Sequence, residues 1–249
     1  MDRSGLGSPA QRPSPAAPQF DRSAVVRAAA QMVIMQGKQF VVVEGVIGAG
    51  KTALAEFLGR AWNARLLLED LGRNPYLEEF YRDRPRYAFQ TQITFLLARY
   101  QDQQDLLQRD IFSPRIVSDY LFQKDRIFAN VNLSDKELRL YDALFPLLER
   151  DVPTPDVVVY LQSSTARLLR RIEARGRSFE SDISREYISA LNEAYNYCFF
   201  HYDAAPVLVV DSNNLDLESH PEQARDLIER IEQHTGGTFY YRPLGTGDV

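Results

Sequence analysis

Cysteine, lysine and long apolar runs are all scarce in this chain of 249 residues. With one cysteine, Cys198, the chain cannot form an internal disulfide, which fits a reducing compartment and leads us to expect a cytoplasmic protein. No apolar run approaches the roughly 18–20 residues of a membrane-spanning helix, so we expect no membrane partner. The formal net charge of −5 gives no overall positive field, so we expect no nucleic-acid partner either.

The low number of lysines is the most informative of these features. Of the 29 basic residues only four are lysine, so 25 are arginine; the lysines are Lys38, Lys51, Lys124 and Lys136. Lys51 directly follows a glycine-rich segment, which makes that segment the first place to look for a function.

The two ends of the chain differ in composition from its middle. Residues 1–20 are rich in proline, serine and alanine and lack the apolar core of a secretory signal, so we predict a disordered extension. A transit peptide is the weaker alternative. We predict one domain over residues 21–235 and a loosely structured tail over 236–249, where Phe239, Tyr240 and Tyr241 could dock on the domain.

Between the ends, short apolar runs alternate with helical patterns. Runs that are apolar throughout are typical of strands buried on both faces, and their alternation with helices predicts an α/β fold with a parallel sheet. The predicted strands are 40–44, 65–69, 115–119, 157–162 and 207–211, and the predicted helices are 51–62, 86–110, 135–150, 164–175, 184–202 and 220–234. Four of the strands end in an acid, at Glu44, Glu69, Asp119 and Asp211, where ligands bind in open parallel sheets.

The first predicted strand runs into a phosphate-binding motif of the form G-x-x-x-x-G-K-[ST]. Its residues are Gly45, Val46, Ile47, Gly48, Ala49, Gly50, Lys51 and Thr52. Such a loop presents backbone N–H groups to phosphates, its lysine binds the β- and γ-phosphates, and its hydroxyl can ligate Mg²⁺. A glycine-rich turn without function is the alternative. The motif predicts a P-loop kinase that uses ATP and Mg²⁺, since the guanine motif N-K-x-D and the signature L-S-G-G-Q are absent.

Two acids at strand ends are candidates for the chemistry. Asp119 could hold Mg²⁺, or it could cap the helix that follows. Glu69 could accept the proton of an attacking hydroxyl, or it could be a surface acid before a turn.

Arginines are concentrated between residues 167 and 177. Arg167, Arg171 and Arg175 share one helix face, Gly176 can end that helix, and Arg177 follows on a loop. Guanidinium groups can neutralise the charge of a transferring phosphoryl group, which favours a short arginine-rich lid over a solvated surface.

Several segments in order resemble the deoxynucleoside kinase family, and within it the bacterial deoxyadenosine/deoxyguanosine kinases. The similarity covers about residues 39–234. It is carried by GVIGAGKT at 45–52, LLLED at 66–70, NPYLEEFY at 74–81, FQTQITFLLAR at 89–99, SDYLFQKDRIFA at 118–129 and RRIEARGRSFE at 170–180.

The resemblance implies roles for the residues at the matching positions. Glu69 matches the general base that accepts the proton of the 5′-hydroxyl. Gln92 matches the glutamine that reads the base, with Gln90 as an alternative one register away. Arg99 and Asp125 match the pair that completes base recognition.

The same resemblance implies roles at the sugar and phosphate ends of the site. Tyr81 and Glu180 match the groups that hold the 3′-hydroxyl, and Asp119 matches the acid near Mg²⁺. The lid residues that match are Arg171, Arg175 and Arg177. An arginine that follows the acid in the family, and supports the 5′-oxygen and the transferred phosphate, is replaced here by Tyr120.

The resemblance also implies a five-stranded parallel sheet flanked by helices, a homodimer, and ATP-dependent phosphorylation of a 2′-deoxynucleoside, with a purine expected. Two alternatives stay open from the residues. One is a non-catalytic nucleotide-binding subunit of the same fold, suggested by Tyr120. The other is a nucleoside monophosphate kinase whose acceptor phosphate would bind Arg82, Arg84 and Arg86.

Overall fold

The computed structural model describes residues 38–106, 115–217 and 219–243. The predicted extension over residues 1–20 lies outside these residues, and so do the first part of the predicted domain and the last residues of the tail. Within the described part of the chain, no helix is long and apolar enough to cross a membrane.

A parallel sheet in the strand order β2-β3-β1-β4-β5-β6 forms the centre of the described structure. Its strands are β1 (Phe40–Gly45), β2 (Arg65–Leu67), β3 (Ile116–Ser118), β4 (Val157–Gln162), β5 (Val207–Asp211) and β6 (Thr238–Tyr241). Every residue of β1 is buried, as are the first five residues of β4, because helices cover both faces of the sheet. The α/β prediction is confirmed.

Two expectations were wrong. The sheet has six strands and not five, and part of the tail that we expected to be loosely structured forms a strand. Thr238–Tyr241 extend the sheet to six strands by pairing in parallel with β5. The aromatic and β-branched residues of this segment suit a strand. Gly236 and Gly237 before it suggest a loose tail, yet Gly237 adopts a φ of 66° and its carbonyl accepts a hydrogen bond from the Val207 amide at 2.9 Å.

Eight α-helices surround the sheet within the described residues. They are α1 (Lys51–Trp62), α2 (Leu77–Arg82), α3 (Arg84–Leu106), α4 (Lys124–Asn132), α5 (Asp135–Glu149), α6 (Thr165–Arg175), α7 (Arg185–His201) and α8 (Pro221–Gln233). Six of them were predicted from the sequence to within two residues, apart from the end of α3, whose predicted residues 107–110 are not described. The short helices α2 and α4 were not predicted.

The sheet and the helices place the predicted functional residues at the carboxyl-terminal edge of the sheet. β1, β2 and β3 are neighbours, so their carboxyl ends bring the loop after Gly45, Glu69 and Asp119 together. Helices α2, α3 and α4 pack above that edge and contribute the opposite wall.

Candidate active site

The loop between β1 and α1 has the conformation of a phosphate cradle. Gly48 and Gly50 have φ angles of 84° and 98°, which favour glycine. The Lys51 amine folds back over the loop and donates to the carbonyls of Gly45 at 2.7 Å and Val46 at 3.2 Å. Burial, together with the positive charge of Lys124, lowers the pKa of Lys51 to about 8.

Asp119 joins the loop to the second strand. Its carboxylate accepts a hydrogen bond from the Thr52 hydroxyl at 2.6 Å and another from the Glu69 amide at 2.7 Å. It caps no helix, since the next helix begins at Lys124 and the residue before it is Gln123. A hydroxyl and a carboxylate side by side are oxygen ligands of the kind that Mg²⁺ prefers.

The Glu69 carboxylate is held by two cations. Arg99 donates to Oε1 through Nε at 2.9 Å and through Nη2 at 2.6 Å, and Lys124 donates to Oε2 at 2.9 Å. Burial alone would raise the pKa of Glu69, but Lys124 and Arg99 hold it well below its usual range. Glu69 is therefore a carboxylate held in place, and its side chain is only 15% exposed. The alternative interpretation of Glu69 as a surface acid before a turn was wrong.

Asp125 is the second carboxylate of this group and is fully buried. It pairs with Arg99 and accepts hydrogen bonds from the Gln92 amide at 2.6 Å and the Tyr141 hydroxyl at 2.8 Å. Burial raises the pKa of Asp125. Gln92 is buried in the cleft wall, whereas Gln90 is exposed, so the structure favours Gln92 of the two glutamines.

Tyr81 and Glu180 lie at another wall of the same cleft. The Tyr81 ring stacks on Phe179 with 5.9 Å between ring centroids, and burial raises the pKa of its hydroxyl, which therefore stays protonated. The buried Glu180 carboxylate accepts hydrogen bonds from Arg175 at 2.6–3.1 Å and from Arg177 at 3.4 Å.

Arg171 lies apart from the other predicted lid residues. Its guanidinium donates to the carbonyls of Ala49 at 3.1 Å and Ser212 at 2.7 Å. It lines a second cleft, of about 760 Å³, beside Phe57 and Leu215. As predicted, helix α6 ends at Gly176, whose φ is 65°.

Apart from Arg171 and Asp125, the predicted side chains with a chemical role line one open cleft. The predicted residues that line it are Ile47, Gly48, Lys51, Thr52, Glu69, Tyr81, Gln92, Arg99, Asp119, Arg175, Arg177 and Glu180. Asp125 lies directly behind the wall, bonded to Gln92 and Arg99.

Sequence reasoning gave no role to two charged residues at this site. Glu44, at the end of β1, is completely buried and accepts hydrogen bonds from the amides of Gly45 at 2.8 Å and Leu121 at 2.7 Å. Lys124 is buried against Glu69. The scarcity of lysine in the sequence was a signal for Lys124, since only three other lysines are present.

Comparison with known proteins agrees with this arrangement. The chain matches the family model described as deoxynucleoside kinase over residues 41–235. It is 33% identical to the deoxyguanosine kinase of Bacillus subtilis over 80% of this chain and 97% of that protein. It is 34% identical to the deoxyadenosine kinase of Dictyostelium discoideum over 76% of this chain and 77% of that protein.

A solved structure shows the same fold. It is deoxyadenosine kinase from M. mycoides with the products dCMP and a flexible dCDP bound. The TM-score is 0.69 at 28% identity, covering 78% of this chain and all of that one. With the phosphate loop, the two paired carboxylates and these relatives in agreement, the chain belongs to the deoxynucleoside kinase family.

Proposed function

We propose that this kinase transfers the γ-phosphoryl group of ATP to the 5′-hydroxyl of a purine 2′-deoxynucleoside, giving the 5′-monophosphate and ADP. One observation carries the proposal. The phosphate loop with Lys51 and the Glu69–Arg99 pair, which Asp125 supports from behind, face the same cleft, so a triphosphate and a nucleoside can meet there.

Glu69 is the residue that receives the proton. It lies at the phosphate-loop side of the nucleoside site and is ionised at any physiological pH, since two cations lower its pKa. The nucleoside 5′-oxygen forms a bond to the γ-phosphorus, the bond from that phosphorus to the bridging oxygen breaks, and the hydroxyl proton passes to Glu69. Such transition states are loose, so a weakly basic carboxylate is sufficient when it is well positioned.

Mg²⁺ is the cofactor we propose for Thr52 and Asp119. Among the described residues no cluster of three acidic, histidine or cysteine side chains could hold a metal. Mg²⁺ is commonly bound by one or two protein oxygens together with phosphates and water, and the Thr52 hydroxyl and the Asp119 carboxylate can supply such oxygens. The ion would neutralise phosphate charge, and Asp119 also positions Glu69 through its backbone amide.

Gln92, Arg99 and Asp125 form the proposed base-reading wall. The Gln92 amide donates both of its N–H groups to Asp125, so its carbonyl oxygen can accept from a nucleobase edge, while the Arg99 guanidinium can donate to one. The preference for a purine is supported by the relatives named deoxyguanosine kinase and deoxyadenosine kinase. Tyr81 and Glu180 would hold the 3′-hydroxyl from the wall beside them.

The lid residues would act from two sides of the phosphate loop. Arg175 and Arg177 reach the cleft that holds Lys51, where they can neutralise the phosphoryl group in transfer. Arg171 supports the outside of the loop through the Ala49 carbonyl and borders the second cleft, whose apolar wall at Phe57 and Leu215 suits the base of the donor nucleotide.

A homodimer and a cytoplasmic location complete the proposal. Four leucines on α3 and α5 are exposed although α3 and α5 pack together: Leu97, Leu140, Leu144 and Leu147. We call this set the leucine face and propose that a second copy of the chain covers it. The single cysteine supports a reducing compartment.

The monophosphate-kinase alternative receives no support from the three arginines that suggested it. Arg84 lies over the Tyr187 ring at 4.1 Å, Arg86 lies over the Tyr87 ring at 5.3 Å, and Arg82 pairs with Glu78 on the surface. None of the three is among the residues that line the cleft.

A substrate panel tests the proposed function. The purified protein with Mg²⁺ and ATP is given deoxyadenosine, deoxyguanosine, deoxycytidine, thymidine, dAMP, dGMP and dTMP, and products are separated by chromatography. We expect 5′-monophosphates from the purine deoxynucleosides at the highest kcat/KM and no diphosphates from the monophosphates. Thermal stabilisation by nucleosides without any product would instead support the non-catalytic alternative.

A further inference from the structure

Lys124 is a buried cation at the phosphate end of the cleft. Its side chain is only 3% exposed, and its amine donates to Glu69 Oε2 at 2.9 Å. It is the first residue of helix α4, directly before Asp125. The centroid of the Phe128 ring lies 5.9 Å from its nitrogen.

This position is unfavourable for a lysine that has only a structural role. Burying an ammonium group costs free energy unless it is well paired. A positive charge in the first turn of a helix is also opposed by the helix dipole. Asp125, the neighbouring acid, is already bonded to Arg99, Gln92 and Tyr141, which leaves Glu69 to compensate Lys124.

The Lys124 amine has N–H donors that remain available to a ligand. An ammonium carries three N–H donors, and among the described residues Glu69 is the one hydrogen-bond acceptor for Lys124. Lys124 shares the cleft with Lys51, Thr52 and Asp119. Both ammonium groups therefore face the same cleft, and an anion bound between them would relieve their repulsion.

Position 120 does not supply such a cation. Tyr120 is fully buried, its hydroxyl donates to Asp102 at 3.2 Å, and neither residue is among those that line the cleft. Asp102 in turn pairs with Arg73 at 2.5 Å. The arginine expected after the strand-end acid therefore has no substitute at its own position.

We propose that Lys124 takes over the role of that arginine. One of its N–H groups holds Glu69, and the others donate to the 5′-oxygen and to the phosphoryl group in transfer. Lys124 keeps its own protons throughout, while the hydroxyl proton goes to Glu69 and ADP leaves. This role rests on the kinase activity proposed above. It makes Lys124 a catalytic residue that sequence position alone does not reveal.

The experiment compares Lys124→Met and Lys124→Arg with the wild type, and uses Lys136→Met on the exposed start of α5 as a matched control. We expect Lys124→Met to lower kcat by about 10²–10³-fold, as when one donor to a developing negative charge is removed, with KM for the nucleoside changed less than about fivefold. Lys124→Arg should retain kcat within about tenfold, and Lys136→Met should match the wild type. Nucleoside binding by calorimetry and circular dichroism establish that each variant is folded.

Three outcomes would overturn the role of Lys124. A Lys124→Met enzyme with kcat within about threefold of the wild type shows that the charge is not used. A rise in KM at unchanged kcat shows that Lys124 stabilises the ground state and the transition state equally and does not favour the transferring phosphoryl group. A wild type that phosphorylates no deoxynucleoside removes the proposed function itself, so the two failures are distinguishable. If Lys124→Met does not fold, Lys124→Gln, which keeps a donor to Glu69 without the charge, carries the same expectation.

Discussion

At the scale of single residues, the part of the cleft that we propose binds the nucleoside contains a group of paired charges. Glu69 and Asp125 are bridged by Arg99, and Lys124 adds a second cation on Glu69. Each member fixes another, which is how a site keeps side chains within a fraction of an ångström of a productive position. The sequence pointed to three of these four residues. For Lys124 it offered only the scarcity of lysine, because the fold of α4 is what turns this side chain toward Glu69.

The proposed sugar-binding role of Tyr81 gives a prediction at this scale. Tyr81→Phe removes only the hydroxyl, so we expect KM for a deoxynucleoside to rise roughly 2- to 12-fold, the equivalent of about 0.5–1.5 kcal/mol for one hydrogen bond. KM for the matching 2′,3′-dideoxynucleoside should stay within about twofold, since that substrate lacks the 3′-hydroxyl. Steady-state kinetics with both substrates measures the difference. An equal rise for both would show that Tyr81 shapes the cleft without binding the 3′-hydroxyl.

At the scale of elements, periodicity predicted the strands β1 to β5 and six long helices, because most of them bury a regular apolar pattern. It missed α2 and α4, which are short and each contribute three residues to the cleft. It also missed β6, since Gly236 and Gly237 look like the start of a loose tail although they form a turn into a strand. Both missed helices contribute to the site, so the element prediction was weakest where the function lies.

The contact between the phosphate loop and the lid helix gives a prediction about elements. A Cβ at Gly48 would lie 2.8 Å from the Leu168 carbonyl of α6, whereas a Cβ at Gly50 would meet no atom within 4 Å. Both residues have positive φ, so alanine strains each by about 1–2 kcal/mol. We expect Gly48→Ala to lower the free energy of unfolding by about 1–3 kcal/mol more than Gly50→Ala, measured by urea denaturation. Equal losses would mean that α6 does not rest on the loop.

At the scale of the whole molecule, the cleft and the leucine face lie on connected parts of the structure. Helix α3 carries Gln92 and Arg99 in the cleft and Leu97 on the leucine face. Helix α5 packs against α3 and carries the other three leucines, at spacings of four and three residues along one side. Covering this face with a second copy would hold α3 in position from the side opposite the nucleoside.

The proposed dimer gives a prediction about the whole molecule. We expect the wild type to sediment at twice the mass of one chain, and the double variant Leu140→Glu, Leu147→Glu to sediment as a monomer, since four buried charges at a two-fold interface are costly. Phe200→Glu, at an exposed aromatic of α7, is the matched control and should remain a dimer. A wild type that is monomeric at micromolar concentration would contradict the proposed assembly.

The proposed mechanism depends above all on Glu69 accepting the proton of the 5′-hydroxyl, and the turnover of Glu69→Gln tests that step. The amide keeps the size of the side chain and an oxygen for Arg99 but cannot accept the proton. With Glu78→Gln on the exposed side of α2 as control, we predict that kcat for the Glu69 variant falls by about 10²–10⁴-fold. Calorimetry should show the dissociation constant of the deoxynucleoside changed less than about fivefold. A Glu69→Gln enzyme that turns over at the wild-type rate would contradict the proposed mechanism.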